Sequence, residues 1–165
     1  MKKHLNFICP SDYLEAVIKN TLSGEHYFLS SLGISLAFDE RNLRHIKDTL
    51  EINDIRDISF ILSEDNRFVL DALGNRDHKD QKNLQNFYDE LREEKENCRE
   101  LWQANDRKFL ILSRYLNNKI KALQDVWDLE YTCRLSIDAK IYNRQEDTFN
   151  SIYPALIFRE GVSLN

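Results

Sequence analysis

The first third of the chain alternates short apolar runs with amphipathic stretches. Residues 5–9 form an apolar run that ends at Pro10, which is typical of a buried strand followed by a break. Apolar positions spaced by three or four residues then predict a helix over residues 12–22, and Gly24 is well placed to end it. A second strand is predicted over residues 26–32, which are aromatic and apolar.

The same alternation continues to residue 73. A second helix is predicted from Asp39 or Asn42, and a third strand spans residues 55–62. A short helix starting within residues 63–66 then runs to Leu73. Strands that alternate with helices favour a mostly parallel sheet covered by helices. The buried stripe of the second helix is expected to contain Leu43, Ile46, Leu50 and Ile52.

The middle of the chain is predicted to be helical. Apolar residues recur at helical spacing over residues 78–104, with a polar interruption at Glu94 and Lys95. Asp106 is a candidate cap for another helix over residues 107–124. That helix is apolar on most sides in its first half, so we expect it to be largely buried.

Strand patterning returns at the carboxyl-terminal end. Residues 133–142 alternate between polar and apolar types, which predicts a strand. Residues 143–147 form a polar turn, and a last strand or extended segment follows over residues 149–158. The fold class expected for the chain is therefore α/β, with a long amphipathic helix and carboxyl-terminal strands.

Composition supports one folded domain over residues 1–165. The chain of 165 residues is 42% apolar and 31% charged, with 2 prolines and 4 glycines. This composition is too apolar for a disordered chain. Neither GxGxxG nor GxxxxGK[ST] occurs in the sequence, so the glycine-rich phosphate-binding loops are excluded.

The charge balance narrows the range of partners. A formal net charge of −5 argues against nucleic acid and against a polybasic membrane anchor. The two lysines near the amino terminus precede too few apolar residues for a secretory signal, and no run approaches the length of a membrane span. We therefore expect a cytoplasmic protein with no membrane partner.

The three cysteines do not form a recognisable framework. Cys9, Cys98 and Cys133 are odd in number, are widely spaced and include no CxxC pair. This spacing argues against disulfides and against a zinc knuckle. We expect three reduced thiols, mostly buried.

Three stretches resemble the β-class carbonic anhydrases. That family has a first strand ending in Cys-x-Asp-x-Arg, where this chain has Cys-Pro-Ser-Asp at residues 9–12. Its third strand ends in Gly-His-x-x-Cys-Gly, and residues 58–67 occupy that place. Residues 135–143 are similar to the family's closing V-x-G-x-x-Y-D strand. The resemblance covers nearly the whole chain and implies the β-carbonic-anhydrase fold.

The resemblance also implies where a zinc ion would be bound. In the family, the metal is held by the first-strand Cys and by the His and Cys after the third strand. Cys9 can match the first ligand, whereas Glu64 and Arg67 stand at the other two positions. On that alignment, Ser11 and Tyr13 replace the family's Asp and Arg. On the alternative alignment, Asp12 matches the family's Asp, but Pro10 then stands at the position of the Cys. The expectation is a degenerate member that lacks most zinc ligands and has no cofactor, with Cys9, Asp12 and Glu64 as weak metal candidates.

Polar residues cluster at the predicted carboxyl ends of the strands, where ligands bind in open parallel sheets. The alternative is that Ser11, Asp12, Ser63 and Asp65 cap helices. Arg67 could pair with Glu64 or Asp65, or bind an anion. The candidate pocket residues are Cys9, Ser11, Asp12, Ser31, Ser63, Glu64, Asp65 and Arg67.

Three hypotheses about function follow. The first is a carbonic-anhydrase-like protein that is not a zinc-dependent CO2 hydratase and has a pocket for a small molecule or anion, or a regulatory role. The second is a metal-dependent enzyme, using rearranged zinc ligands or magnesium on Asp12, Glu64 and Asp65. The third is a structural or protein-interaction module working through the long helix. A homodimer is compatible with each of them.

Overall fold

The chain is built around a five-stranded sheet with strand order β2-β1-β3-β4-β5. The computed structural model describes residues 1–74, 82–98, 104–127 and 129–155. The first four strands in this order are parallel, and β5 is antiparallel to β4. The predicted α/β class with a mostly parallel sheet is therefore confirmed. The strands are β1 (Lys3–Ile8), β2 (Glu25–Ser30), β3 (Asp57–Ser63), β4 (Ser136–Asn143) and β5 (Thr148–Ser151).

Helices connect the strands and pack on both faces of the sheet. Alternate residues of β1 separate the two faces: Leu5 and Phe7 belong to a large core, and Ile8 belongs to a smaller one. The large core is formed with α2 to α5, and the smaller core with α1. The helices are α1 (Glu15–Thr21), α2 (Glu40–Ile52), α3 (Arg67–Leu73), α4 (Lys82–Asn97), α5 (Ala104–Asp125) and α6 (Leu129–Thr132).

The predicted helix over residues 12–22 begins too early. Pro10–Asp12 form a single 3-10 turn, and Tyr13 has a left-handed backbone with φ of 55°. The chain therefore reverses before α1 starts at Glu15, and no side chain caps this helix. The second strand ends at Ser30, two residues earlier than predicted, and a 3-10 turn follows it.

Asp39 is the cap of α2, as one of the two alternatives proposed. Its side-chain Oδ1 accepts a hydrogen bond from the Asn42 backbone N–H at 2.9 Å. Ile46 and Leu50 are buried as expected, but Ile52 is 81% exposed. The prediction for Ile52 is wrong because this residue lies about 200° around the helix from the buried Leu50, and so on the opposite face.

The two long helices differ from the expected pair. Helix α4 continues through the predicted polar interruption because Glu94 is buried against α5, where the Arg114 guanidinium and the Asn118 amide donate to its carboxylate. Helix α5 begins at Ala104, so Asp106 lies inside the helix instead of capping it. Residues 78–81 and 99–103 of the predicted long helix lie outside the described residues.

The carboxyl-terminal strands are shorter than predicted. The short helix α6 ends at Thr132, and residues 133–135 form a turn instead of strand, so that β4 begins at Ser136. Strand β5 ends at Ser151, and the rest of the predicted last strand from residue 156 lies outside the described residues. Cys133 is exposed, contrary to expectation, whereas Cys98 is buried.

Gly33 marks a point where the two long helices approach the loop after β2. Its φ is +59°, and an added Cβ would lie 2.6 Å from the Phe87 ring of α4. The Tyr115 hydroxyl of α5 also donates to the Gly33 carbonyl at 2.6 Å. The loop therefore needs a residue with no side chain and with access to left-handed backbone.

We predict that Gly33→Ala destabilises the protein by about 1–3 kcal/mol, since the methyl group would overlap a buried ring and strain the backbone. Urea unfolding would measure the loss. Ser30→Ala, at an exposed position of the same segment, serves as the control and should leave the unfolding midpoint unchanged. A wild-type midpoint for Gly33→Ala would contradict the packing described.

Candidate functional site

The carboxyl ends of β1 and β3 lie side by side. Ile8 pairs with Ile61 in parallel register, so the turns that follow the two strands meet at one edge of the sheet. Polar groups from both turns are withdrawn from solvent: Asp12 is 2% exposed, Ser63 0% and Asn66 1%. Buried polar groups of this kind need hydrogen-bond partners.

Asp12 joins the two turns. Its Oδ2 accepts a hydrogen bond from the Ser63 backbone N–H at 3.0 Å, and its Oδ1 accepts one from the Asn66 Nδ2 at 2.7 Å. The interpretation of Asp12 as the cap of the first helix is therefore wrong. The side chain points across to β3 instead of forward along its own segment.

Asn66 connects this pair to α3. Its Oδ1 accepts hydrogen bonds from the backbone N–H groups of Phe68 at 2.9 Å and Val69 at 3.1 Å, so it caps the helix. Neither Ser63 nor Asp65 is the cap; the Ser63 hydroxyl donates to the Asp65 carboxylate instead. The sequence places Asn66 in the turn after the third strand, but Asn66 was not among the candidate pocket residues or caps, although Asn immediately before an apolar helical run is a strong capping signal.

The Cys9 thiol lies in the same layer and is fully buried. Its Sγ is 3.0 Å from the Ser11 Oγ and accepts a hydrogen bond from the Gly33 backbone N–H at 3.2 Å. The Asn66 Nδ2 also donates to Ser11 Oγ at 3.2 Å. Ser31 is held nearby through its backbone N–H, which donates to the Ile8 carbonyl at 3.1 Å.

An outer layer is formed by the turn between β4 and β5. The Arg144 Nε donates to Asp65 Oδ2 at 3.0 Å, and its Nη2 donates to the Asp12 carbonyl at 2.9 Å. The Asp65 and Arg144 side chains are about half exposed, at 46% and 45%. Pairing of Arg67 with Glu64 or Asp65 was one of the alternatives from sequence, but Asp65 pairs with Arg144, and the Arg67 guanidinium lies over the Phe68 ring, 4.7 Å from its centroid.

Arg144 could not be assigned to the site from sequence. It lies in a polar turn that carries no motif, and 132 residues separate it from Asp12. The pairing of β4 with β3 brings it here, since Ser63 is opposite Tyr142 in the register. Glu64 continues the hydrogen bonding between β3 and β4, since its backbone N–H donates to the Tyr142 carbonyl at 3.0 Å.

Asp12 and Asp65 have pKa values shifted in opposite directions. Burial raises the pKa of Asp12 from 3.8 to about 6, against the opposing effect of its hydrogen bonds from Ser63 and Asn66. Burial also acts to raise the pKa of Asp65, but the hydrogen bond from Ser63 and the charge of Arg144 outweigh it, so the pKa is lowered.

The potential metal ligands of this site do not fit a zinc ion. Zinc in proteins takes three or four N, S or O ligands in tetrahedral geometry. Within the described part of the chain, no three His, Cys, Asp or Glu side chains converge in a way that could hold a metal. The Cys9 sulfur and both Asp12 oxygens are also engaged with Ser11, Gly33, Ser63 and Asn66.

A cavity of about 210 Å³ lies at the opposite, amino-terminal end of the strands. Its apolar floor is formed by Leu50, Ile55 and Leu135, with Tyr131 beside them. Arg56 on its rim is paired with Asp54, at 3.1 Å between Nη2 and Oδ1. The cavity is therefore separate from the strand-end residues named by the sequence.

The described helices include none with the length and apolarity needed to cross a bilayer. No protein-family model matches the sequence. A search of curated proteins also finds no match.

The solved structures that resemble this chain include several β-carbonic anhydrases. CafD of Aspergillus fumigatus superposes with a TM-score of 0.72 at 15% identity, over 93% of this chain and 90% of that one. CafA of the same fungus gives 0.71 at 14% identity, over 98% and 82% of the two chains. The Coccomyxa enzyme in complex with acetazolamide gives 0.67 at 14% identity, over 91% and 71%. The chain therefore has the β-carbonic-anhydrase fold, as the sequence resemblance implied.

The raised pKa of Asp12 predicts a pH dependence of stability. Because the folded-state pKa of about 6 lies above the ordinary value of 3.8, the folded protein binds this proton more readily than the unfolded chain does. The contribution is complete below about pH 4 and is lost as the pH rises through 6, by roughly 3 kcal/mol for a shift of this size.

Two measurements check this pH dependence. Urea unfolding of wild type and Asp12→Asn between pH 4 and 7.5 should show the stability of wild type falling relative to the variant. A carboxyl ¹³C NMR titration should give a midpoint near 6 for Asp12. A difference that does not vary with pH, or a midpoint near 4, would overturn it.

Proposed function

We propose that this chain is a carbonic-anhydrase-like protein that does not hydrate CO2 through zinc and instead acts as a binding or regulatory protein. The observation that carries the proposal is that the potential metal ligands at the strand ends already have hydrogen-bond partners in the protein. The Cys9 thiol and the Asp12 carboxylate are buried and hydrogen bonded to neighbouring protein groups. Groups satisfied in this way are poor candidates to assemble a metal site or activate water.

The residues at the positions of the other family ligands support the same proposal. The sequence resemblance places Glu64 at the family's His position and Arg67 at its second Cys position. A guanidinium remains positively charged at every accessible pH and has no lone pair to give to a metal. Loss of two of the three protein ligands would remove the zinc-bound hydroxide on which such a hydratase depends.

We propose that any ligand meets the outer layer of the strand ends. Asp65, Arg67 and Arg144 are exposed there, and Glu64 is half-buried. A small anion would bind by competing with Asp65 for the Arg144 guanidinium, a geometry suited to a carboxylate or phosphate group. This is the surface where we place the small-molecule or regulatory role.

The wider setting proposed for the protein follows from its sequence. A net charge of −5 is unfavourable for binding nucleic acid or an anionic membrane surface. We propose a cytoplasmic protein, composed of one domain over residues 1–165, that binds a small molecule or anion; a homodimer is compatible with this role.

Elemental analysis tests the central proposal. Protein purified without chelator and without a metal-carrying tag should contain well under one zinc atom per chain. It should hydrate CO2 no faster than buffer, in parallel with a zinc-containing β-carbonic anhydrase as the positive control. Replacing Cys9 with Ser should change neither result, because the thiol is committed to Ser11 and Gly33.

Two outcomes would overturn the proposal. One zinc per chain, with hydration lost in Cys9→Ser, would establish a metal site with rearranged ligands. One tightly held magnesium, lost in Glu64→Ala, would instead establish the carboxylate site of Asp12, Glu64 and Asp65.

A further inference from the structure

We propose that Asp12 and Asn66 form a metal-independent cross-link between the turns after β1 and β3. We call Ser11, Asp12, Ser63 and Asn66 the strand-end clasp. The inference rests on the proposed function in one respect, namely that no metal occupies these turns. It goes beyond the proposed function by naming the hydrogen-bond donors and acceptors that hold these two turns together.

The first argument is that the clasp joins segments far apart in sequence. The hydrogen bond from the Ser63 backbone N–H to Asp12 spans 51 residues, and the one from Asn66 spans 54. Both bonds are buried, so water competes weakly for the groups that form them. A charge-assisted hydrogen bond in such a place is stronger than its counterpart at the surface.

The second argument is that donors and acceptors are matched in direction. The Asp12 carboxylate accepts at both oxygens, from a backbone N–H and from the Asn66 amide. The Asn66 amide donates to Asp12 and Ser11 through Nδ2, and accepts at Oδ1 from Phe68 and Val69. A carboxylate at position 12 and an amide at position 66 therefore complement each other, a directional match that burial alone would not demand.

The clasp also locates the start of α3 and the turn after β4. Asn66 is both the cap of α3 and the partner of Asp12, so the helix begins at a fixed distance from the end of β1. Arg144 then bonds to the Asp12 carbonyl and to Asp65, which adds the β4–β5 turn to the same assembly. In this way three strand-end turns are held together by side chains, a task that metal ligands perform in many proteins.

Because each hydrogen bond has a defined donor and acceptor, the clasp can be tested by exchanging the residue types at positions 12 and 66. Asp12→Asn alone places an amide where two donors converge, and Asn66→Asp alone brings two carboxylates together. The double variant Asp12→Asn/Asn66→Asp restores the pattern with the roles reversed. The new amide at position 12 accepts from the Ser63 N–H and donates to the new carboxylate at position 66, which still caps α3.

We expect each single variant to lower the urea midpoint at pH 7.5 and the double variant to recover at least half of the larger loss. Asp48→Asn, at an exposed position on α2, is the matched acid-to-amide control and should match wild type. If a single variant does not fold while the double variant does, the clasp is supported. A double variant that is unfolded, or less stable than both singles, overturns it.

Unfolding with and without a chelator distinguishes the clasp from the proposed absence of zinc catalysis. Wild type and the double variant are unfolded in urea with EDTA and, separately, with added zinc chloride. Equal midpoints in both conditions support a metal-independent cross-link. A wild-type midpoint that falls in EDTA contradicts metal independence, whereas loss of rescue in the double variant contradicts the clasp and leaves the proposed absence of zinc catalysis standing.

Discussion

A buried carboxylate must find hydrogen-bond donors that stay in place, and this requirement at Asp12 organises one edge of the sheet. The donors come from the next strand, one from the Ser63 backbone and one from the Asn66 side chain. They hold an ionised group away from solvent, although burial raises its pKa to about 6. The position of α3, the closeness of the two turns and the contact made by Arg144 all depend on this arrangement.

Under the proposed function, this chain would share its fold with the β-carbonic anhydrases without sharing their zinc chemistry. The β-carbonic anhydrases that superpose on this chain share 13–16% of its residues, enough to preserve the sheet and its helices. A parallel sheet needs apolar strands and crossover helices, which many sequences supply. A metal site needs three or four particular side chains in fixed geometry. The first requirement survives divergence more easily than the second.

This difference also explains what could be predicted from the sequence. The strands and crossovers were predictable because apolar spacing reports burial, as it did for Leu5, Ile46 and Leu50. The strand-end location of Asp12 and Ser63 followed from the parallel order. Their partners did not, because hydrogen bonds such as Arg144 to Asp12 depend on register and on the left-handed turn at Tyr13. Local patterns also missed Glu94, whose burial depends on Arg114 in another helix.

The contact between Arg144 and Asp12 has a consequence for the order of folding. It joins residues 132 positions apart, and β4 must first pair with β3 for the contact to form. During synthesis the amino-terminal strands emerge long before β4 and leave one side of β3 without a neighbour. Contacts of such long range slow folding and leave strand edges open to wrong partners. The nascent chain is therefore exposed to aggregation until the β4–β5 hairpin has left the ribosome.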